Sequence, residues 1–324
     1  MKITFFFSAL VIALFVASAC APATSARPIC LEISAWAGVE PAQLAADIGY
    51  YTKRGAPVEV IRFSAYTDGI QALRDGRVDA GMQTLDDVIR GIAQGRDLKV
   101  VLFTDYSYGG DGIVARNEIT TLAQLIGKRI GVETGSVSHY SLMQALKSTS
   151  LRESDFEIIS IPAWEIKEAF LAGKIDAGVT WEPYLTESAR EGNGHVMITS
   201  KDYPRTIVTT MVMSGNLIKN RPREAQAMVA AYFDALGYTF ANPADAYARM
   251  GKAEGVSREE FESHVAGLRF FNLADNRAAF DSTHPESMYQ QTQAIIDFLF
   301  ERGLIKKHLT ANAVLDATFI QGLK

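Results

Sequence analysis

One segment of the sequence has the residues of an anion-binding turn. Gly135-Ser-Val-Ser-His-Tyr140 follows an apolar run and opens a helix. The backbone N–H groups there, with the hydroxyls of Ser136 and Ser138, could hold an anionic group. The alternative is that Ser136 or Ser138 only caps the helix. His139 and Tyr140 could add a donor and a stacking face, or could be packing residues.

Aromatic residues stand at comparable positions in the two halves of the chain. Trp36 and Trp181 each follow a short apolar run. Two such rings facing each other could hold a planar or apolar ligand body between them. The alternative for each is a core tryptophan beneath its loop. Tyr66, with Tyr106 and Tyr108, is a further candidate of the same kind.

Acidic residues are concentrated in the same loops. They are Asp86, Asp87, Asp105, Asp111 and Glu182, with Thr84 and Ser107 as polar neighbours. Asp111 lies in Gly-Gly-Asp-Gly and is predicted to be structural. Arg and Lys, which a bare inorganic anion would need, do not occur in these loops. Carboxylates favour a ligand with an amine or heterocyclic N–H donors. The sequence therefore predicts a nitrogen-bearing organic ligand.

The elements that must position these loops alternate between strands and helices. Strand-like runs such as Val58–Phe63 and Lys99–Phe103 are separated by helical stretches. This alternation predicts an α/β fold with mainly parallel sheets covered by helices. Ligands of such sheets bind at the carboxyl ends of the strands. That rule selects the loops that begin at Ser34, Gln83, Asp105, Thr134 and Thr180.

An internal repeat divides the chain. Segments 72–81 and 169–178 share the pattern Ala-x-x-x-Gly-x-x-Asp-Ala-Gly. In each copy a helix is predicted to end at a left-handed glycine, Gly76 or Gly173, before a short buried strand. Asp79 and Asp176 are placed to bond loop backbone. The repeat predicts two lobes of similar fold: residues 27–115 plus 208–324, and residues 116–207. Two hinge strands are expected near 114–118 and 204–210.

The N-terminal segment predicts export. A single charge at Lys2 precedes the apolar run Ile3–Val16, which fits a signal peptide better than a buried first helix. Cleavage is predicted either before Cys20, as in a lipoprotein with Cys20 acylated, or after Thr24-Ser-Ala26. Residues 1–26 are thus assigned to a signal peptide and its cleavage region or tether.

Composition excludes several functional classes. A 48% hydrophobic and 21% charged composition supports a large core, and a net charge of −5 without a Lys/Arg cluster argues against nucleic-acid binding. If Cys20 is acylated or removed, Cys30 has no disulfide partner and is expected to be a buried, inert thiol. The five histidines lack metal-ligand spacing. Phosphate-loop and serine-nucleophile motifs are absent. We therefore expect no metal, no cofactor and no catalytic residue.

Several motifs resemble one family when taken in order. They are Trp36-Ala-Gly-Val-Glu-Pro41, the two Gly-x-x-Asp-Ala units, Asp105–Ile113, Leu125–Ser136 and Trp181-Glu-Pro183. Together, over roughly residues 30–300, they resemble bacterial ABC-importer solute-binding proteins of the sulfonate, taurine, nitrate and thiamine-pyrimidine-precursor group. The resemblance implies a two-lobed periplasmic-binding-protein-like fold (type II) that closes on a ligand.

The resemblance also implies partners and a location. It implies a monomeric, noncatalytic periplasmic protein that delivers its ligand to a permease with its ATPase. The membrane would be contacted only through a possible lipid anchor at Cys20. Two alternatives stay open: an exported enzyme of the same fold, and a ligand-sensing module that docks on a receptor.

Overall fold

The computed structural model describes residues 27–323. The predicted signal peptide, its tether and Cys20 lie outside these residues. The strands, in chain order, are β1 (Ile29–Ile33), β2 (Val58–Arg62), β3 (Ala80–Thr84), β4 (Leu98–Ser107), β5 (Asp111–Arg116), β6 (Arg129–Val132), β7 (Glu157–Ser160), β8 (Ala177–Trp181), β9 (Gly194–Thr199), β10 (Val208–Ser214) and β11 (Leu268–Phe270).

Helices cover the faces of the sheets. They are α1 (Glu40–Asp47), α2 (Tyr50–Arg54), α3 (Tyr66–Arg74), α4 (Leu85–Ala93), α5 (Val137–Leu146), α6 (Ile166–Leu171), α7 (Tyr184–Glu191), α8 (Gly215–Asn220), α9 (Pro222–Ala241), α10 (Pro243–Glu254), α11 (Arg258–Val265), α12 (Leu273–Ala279), α13 (Met288–Glu301), α14 (Ala311–Val314) and α15 (Thr318–Gln321). Short 3-10 turns occur at Ala37–Val39, Leu122–Leu125, Glu153–Asp155 and Ala163–Glu165.

The first lobe is built on a six-stranded sheet with the order β11-β4-β10-β3-β1-β2. β1 runs parallel to β2 and β3, whereas β10 is antiparallel to both β3 and β4. β1, β2, β3 and β4 therefore point the same way. Their carboxyl ends share one edge with the start of β10, and that edge faces the second lobe.

The second lobe is built on a five-stranded sheet with the order β7-β6-β8-β5-β9. β6 is parallel to β7 and β8, and β5 is antiparallel to β8 and β9. The two-lobed α/β architecture expected from the alternation and the repeat is thus confirmed, with antiparallel strands where the chain passes between lobes.

The chain crosses between the sheets at residues 108–110 and 200–207. The Ser107 amide donates to the Ile207 carbonyl (2.9 Å), and the Ser200 amide donates to the Asp111 carbonyl (2.9 Å). The Ser107 and Ser200 hydroxyl oxygens are 2.7 Å apart. The crossings therefore form a bonded two-stranded hinge.

This arrangement differs from the expected boundary after residue 115 and from a first hinge strand near 114–118. β5 pairs along its length with β8 and β9 in the second sheet. A buried strand has the same apolar sequence pattern in either sheet, so the sequence of β5 does not predict which sheet it joins.

Each lobe has its own apolar core. The first-lobe core includes Leu31, Met82, Phe103 and Met211, and the second-lobe core includes Ile130, Leu142 and Val179, all fully or almost fully buried. Cys30, expected to be buried, is only half-buried, and its Sγ lies 3.8 Å from the Arg27 guanidinium. Burial raises the pKa of this thiol.

Candidate functional site

A narrow cavity lies between the lobes, where the carboxyl ends of the strands meet. Its walls are Ser34, Ala35, Trp36, Val39, Tyr66, Met82, Thr84, Asp111, Val137, Trp181, Ile207 and Thr209. Its free volume is about 30 Å³. That space holds at most a few water molecules. An organic ligand can therefore enter only if the lobes separate.

Trp181 closes the cavity from the second lobe. Its Nε1 donates to the Ala35 carbonyl of the first lobe (3.2 Å), and its ring stands edge-on to Tyr66, with ring centres 5.9 Å apart. Trp181 is only 7% exposed. The indole is thus a wall of the cavity and a bridge between the lobes.

Trp36 is held in place by Asp105. Its Nε1 donates to Asp105 Oδ1 (2.9 Å), and the hydroxyls of Thr104 and Thr209 donate to the same carboxyl at 2.9 and 3.3 Å. Asp105 is fully buried, and this burial raises its pKa to about 6 although the three donors lower it. Asp105 therefore lies behind the cavity wall and orients the Trp36 indole, which lines the cavity.

Tyr66 and Thr84 are fixed by a buried carboxylate. The Tyr66 hydroxyl donates to Asp87 Oδ2 (2.8 Å), and the Thr84 hydroxyl donates to the same oxygen (3.0 Å). Arg90 binds Asp87 and Asp86 at 2.6 and 2.7 Å. Burial, followed by the neighbouring Asp87, raises the pKa of Asp86 to about 6. Asp86, predicted as a ligand contact, thus belongs to the network beneath the wall.

Asp111 is the one charged residue among the cavity walls. Its amide donates to the Ser107 hydroxyl (3.1 Å), which places the start of β5 at the hinge. Burial raises the pKa of its carboxyl to about 7, against a lowering by Ser107. Asp111 is thus a hinge residue, as predicted, that also lines the cavity. Ser107 itself lies in the hinge, not in the wall.

The turn at Gly135 is placed beside the cavity, and only Val137 of this segment lines it. Ser136 Oγ accepts a hydrogen bond from the Ser138 amide (3.2 Å). Ser136 therefore caps helix α5, which was the alternative to ligand binding. The Gly135 amide donates to His139 Nδ1 (3.2 Å), and the other ring nitrogen lies 2.9 Å from Glu153.

Two more predicted contacts of the second lobe point away from the cavity. Tyr140 packs edge-on against Phe298 of the first lobe, with ring centres 5.7 Å apart. Glu182 accepts from the amide (3.1 Å) and hydroxyl (2.5 Å) of Thr186 and so caps α7. Glu182 is thus a helix cap, as the W-E-P motif alone could not show.

The structure therefore brings together Trp36, Tyr66, Thr84 and Trp181 of the predicted residues. Sequence reasoning missed Ser34, Ala35, Val39, Met82, Val137, Ile207 and Thr209. Ser34 could have been predicted, because it begins one of the loops selected by the rule that ligands bind at the carboxyl ends of strands. Ile207 and Thr209 could not, because they reach the cavity on the returning hinge strand.

The cavity combines a carboxyl group with the starts of several helices. Tyr66 begins α3, Thr84 is the N-cap of α4, Val137 begins α5 and Trp36 precedes a 3-10 turn. Helix starts favour negative charge, and a carboxylate favours positive charge. Among the residues lining this cavity there is no Arg or Lys. The arrangement suits a molecule that bears both an amine and an acidic group.

Residues 27–323 contain neither a candidate metal cluster nor a candidate membrane-spanning helix. No cluster of three or more His, Cys, Asp or Glu in this range could hold a metal ion. The helices of the same range include none with the length and apolarity needed to cross a bilayer.

Comparisons with known proteins point to one group. The chain is 25% identical over 296 residues to the taurine-binding periplasmic protein of Escherichia coli K12, covering 87% of this chain and 90% of that protein. Its fold matches the alkanesulfonate-binding protein SsuA from Xanthomonas axonopodis pv. citri with a TM-score of 0.73 at 21% identity, over 90% of this chain and 100% of the other. The aliphatic sulphonate-binding protein SsuA from Escherichia coli matches with a TM-score of 0.72 at 21% identity, over 92% and 95%.

These neighbours have the two-lobed periplasmic binding protein fold, and the relatives named here are binding proteins rather than enzymes. A family model, described as NMT1/THI5 like, matches residues 37–246, which include both repeat units and most of the cavity walls. The chain therefore belongs to the NMT1/THI5-like family.

Proposed function

We propose that this protein is the extracytoplasmic solute-binding component of an ABC importer, and that it closes its lobes on a small organic molecule carrying an amino group. The observation that carries the ligand class is Asp111, the one charged side chain in the cavity wall. Asp111 lines the cavity among aromatic and apolar residues, and an ammonium group would be the strongest partner of its carboxyl there.

The other end of the ligand is expected to be acidic. Backbone amides at the start of α5, beside Val137, offer an uncharged site for a sulfonate or carboxylate. A short amino-sulfonate such as taurine satisfies both ends at once. The taurine and sulfonate specificities of the relatives support this class, although they belong to those proteins.

A noncatalytic role is part of the proposal. The residues lining the cavity include no His, Cys or Lys, so this wall offers no base beside its hydroxyl groups other than Asp111. Binding, closure and release to a permease with its ATPase require none. Ligand binding would shift the open–closed population by its higher affinity for the closed form.

Export is proposed from the N-terminal segment. Expression in a bacterium and mass spectrometry of the mature N-terminus would show whether cleavage occurs before Cys20 or after Ala26. A periplasmic product with an acylated Cys20 would support the lipid anchor. A product that retains Met1 would contradict export.

The ligand class is tested with a matched pair of compounds. Calorimetry with taurine and with ethanesulfonate, which differ only in the amine, should show binding of taurine and at least tenfold weaker binding of ethanesulfonate. Nitrate and an aminopyrimidine complete the panel. Asp111→Asn should weaken taurine binding by about tenfold to a hundredfold, since a charge-assisted hydrogen bond is lost.

The control is Glu165→Gln, which removes an exposed acid of the same lobe. It should leave taurine binding unchanged. Equal affinities for taurine and ethanesulfonate, or tight nitrate binding, would contradict the proposed ligand class. Chemical turnover of a bound compound would contradict the noncatalytic role.

A further inference from the structure

One residue of the first crossing between the lobes is bonded to both of them. The Gly110 amide donates to the Gly267 carbonyl of the first lobe (2.9 Å), and the Gly110 carbonyl accepts from the Glu182 amide of the second lobe (2.8 Å). The preceding residue, Gly109, has a φ of +111°, in a backbone region that favours glycine. The passage from one lobe to the other is therefore completed at Gly110, and backbone rotation at this point can turn one lobe against the other.

The space beside Gly110 is filled by an indole of the cavity wall. A Cβ atom at position 110 would lie 2.6 Å from Trp36 Cη2 and 2.9 Å from the Gly267 carbonyl oxygen. Carbon atoms in contact stay about 3.5 Å apart or more, so a larger residue at this position fits only if its surroundings move. The six-membered ring of Trp36 therefore packs directly against the hinge backbone, while the same side chain lines the cavity.

The other edge of this indole is fixed within the first lobe. Its Nε1 donates to Asp105 Oδ1 (2.9 Å). A Cβ atom at Gly38 would overlap both Asp105 Oδ2 and Trp36 Nε1, so the backbone of the Trp36 loop is packed against this edge. Trp36 is thus held between two glycines, one in its own loop and one in the hinge. Room for a side chain at position 110 must therefore come from the hinge and not from the ring.

We infer that Gly110 is the pivot of lobe closure, and that the Trp36 indole packed against it couples the closed angle of the hinge to the cavity wall. Gly110 does not line the cavity, so it is a positioning residue that acts through Trp36 and through its bond to Glu182, the neighbour of Trp181. A ligand that shifts the Trp36 ring changes the space left for the pivot. The consequence for ligand affinity rests on the proposed function, whereas the pivot itself does not.

The pivot can be tested on the protein without ligand through two indole N–H groups. That of Trp181 is bonded across the cleft to the Ala35 carbonyl, whereas that of Trp36 is bonded to Asp105 within the first lobe. Their solvent hydrogen-exchange rates, measured by NMR, therefore report lobe opening and first-lobe integrity separately.

Gly110→Ala should speed exchange at Trp181 by about tenfold and leave exchange at Trp36 unchanged, because the added methyl group disfavours the closed hinge. Gly267→Ala, whose Cβ would lie 2.9 Å from Gly110 Cα, should act in the same direction from the first-lobe side. Adding Trp36→Phe to Gly110→Ala should slow exchange at Trp181 again by about threefold or more, since the phenyl ring lacks the atom that the methyl group meets. Gly237→Ala is the matched control, because a Cβ at this exposed position in α9 meets no atom within 4 Å, and it should change neither rate.

Unchanged exchange at Trp181 in Gly110→Ala would overturn the inference, and so would equal acceleration at both indoles, which indicates general loosening. Faster exchange at Trp36 alone would show that the ring gives way and not the hinge, and no recovery in the double variant would remove Trp36 from the coupling. If Gly110→Ala fails to fold, Gly267→Ala decides by the same criteria. Absence of amine binding would overturn the proposed ligand but would leave these exchange rates, and this inference, intact.

Discussion

The two copies of the repeated unit keep the same clamp at the same place. In the first lobe, Asp79 accepts from the Cys30 amide (2.9 Å), while its own amide donates to the Cys30 carbonyl (2.9 Å). In the second lobe, Asp176 makes the same pair of bonds with Arg129, at 3.0 and 2.9 Å. Each aspartate thus fixes its strand to the first residues of the neighbouring strand.

Beyond the clamp the two units diverge. After β3, the first lobe places Thr84 over a buried network of Asp86, Asp87 and Arg90. After β8, the second lobe presents Trp181, which lies opposite Asp111 in the β5–β8 pairing. The first unit therefore supplies oriented hydroxyls, and the second supplies an indole that lies beside the acid of β5. A duplicated scaffold can make an asymmetric site because the loops after the strands are free to differ.

The largest expected effect breaks the first-lobe network. Arg90→Leu leaves Asp86 and Asp87 buried without their cation, so the free energy of unfolding should fall by about 3–5 kcal/mol. Lys167→Met in the second lobe removes a more exposed cation that contacts Glu187 and Glu191, and it should cost about 1 kcal/mol or less. Urea unfolding followed by circular dichroism measures both. Equal losses of stability in the two variants would contradict the expected difference between the buried cation of the first lobe and the more exposed cation of the second.

The next effect compares the clamps. Asp79→Ala should lower the free energy of unfolding by about 2 kcal/mol and Asp176→Ala by about 1 kcal/mol, since Asp79 is the more buried of the two. The same urea titrations measure the difference. The Asp→Asn variants retain an acceptor and serve as controls with smaller losses. A larger loss for Asp176→Ala would contradict the ranking.

A third prediction concerns the acid of the second lobe. The pKa of Asp111 is raised to about 7 by burial, so below that pH the carboxyl is protonated and must release its proton to bind an ammonium group. The Kd for taurine should therefore rise by about tenfold for each pH unit below pH 7, and it should be nearly constant from pH 7 to 8. Calorimetry at pH 5.5 to 8 measures this profile.

In Asp111→Asn the profile should be flat, because no proton is exchanged at that position. A profile that keeps its slope in this variant would assign the titration to another group and remove Asp111 from ligand recognition.

The smallest expected effect separates the two indoles. Trp181→Phe keeps an aromatic wall but loses the bond to the Ala35 carbonyl, so it should weaken taurine binding by about fivefold, through easier opening. Trp36→Phe should instead lower thermal stability, because Asp105 loses a donor within a single lobe. Calorimetry and thermal melts distinguish the two. Identical behaviour of both variants would contradict the division between a bridging and an anchored indole.

The sequence predicted the fold better than the site. β2 and β4 form at the strand-like runs Val58–Phe63 and Lys99–Phe103, because the periodicity that predicts a strand is local. Among the expected ligand contacts, Trp36, Tyr66, Thr84 and Trp181 reach the cavity wall. Asp86, Asp105, Ser136 and Glu182 belong to networks and caps. The sequence shows only that a polar residue follows a strand. It does not show whether the side chain faces the cleft or bonds to the loop.

What the sequence by itself determined is the repeated scaffold. The left-handed glycines Gly76 and Gly173, at φ +72° and +68°, end their helices through short-range chemistry within each unit. The repeat also sets the positions of Asp79 and Asp176, although the strands that they clamp lie 49 and 47 residues earlier in the chain. Tertiary structure alone decided that β5 joins the second sheet, that Asp111 lies in the cavity wall, and that the Trp181 indole bonds to the Ala35 carbonyl across the cleft. Those contacts join residues far apart in the chain, and only the packing of the two lobes brings them together.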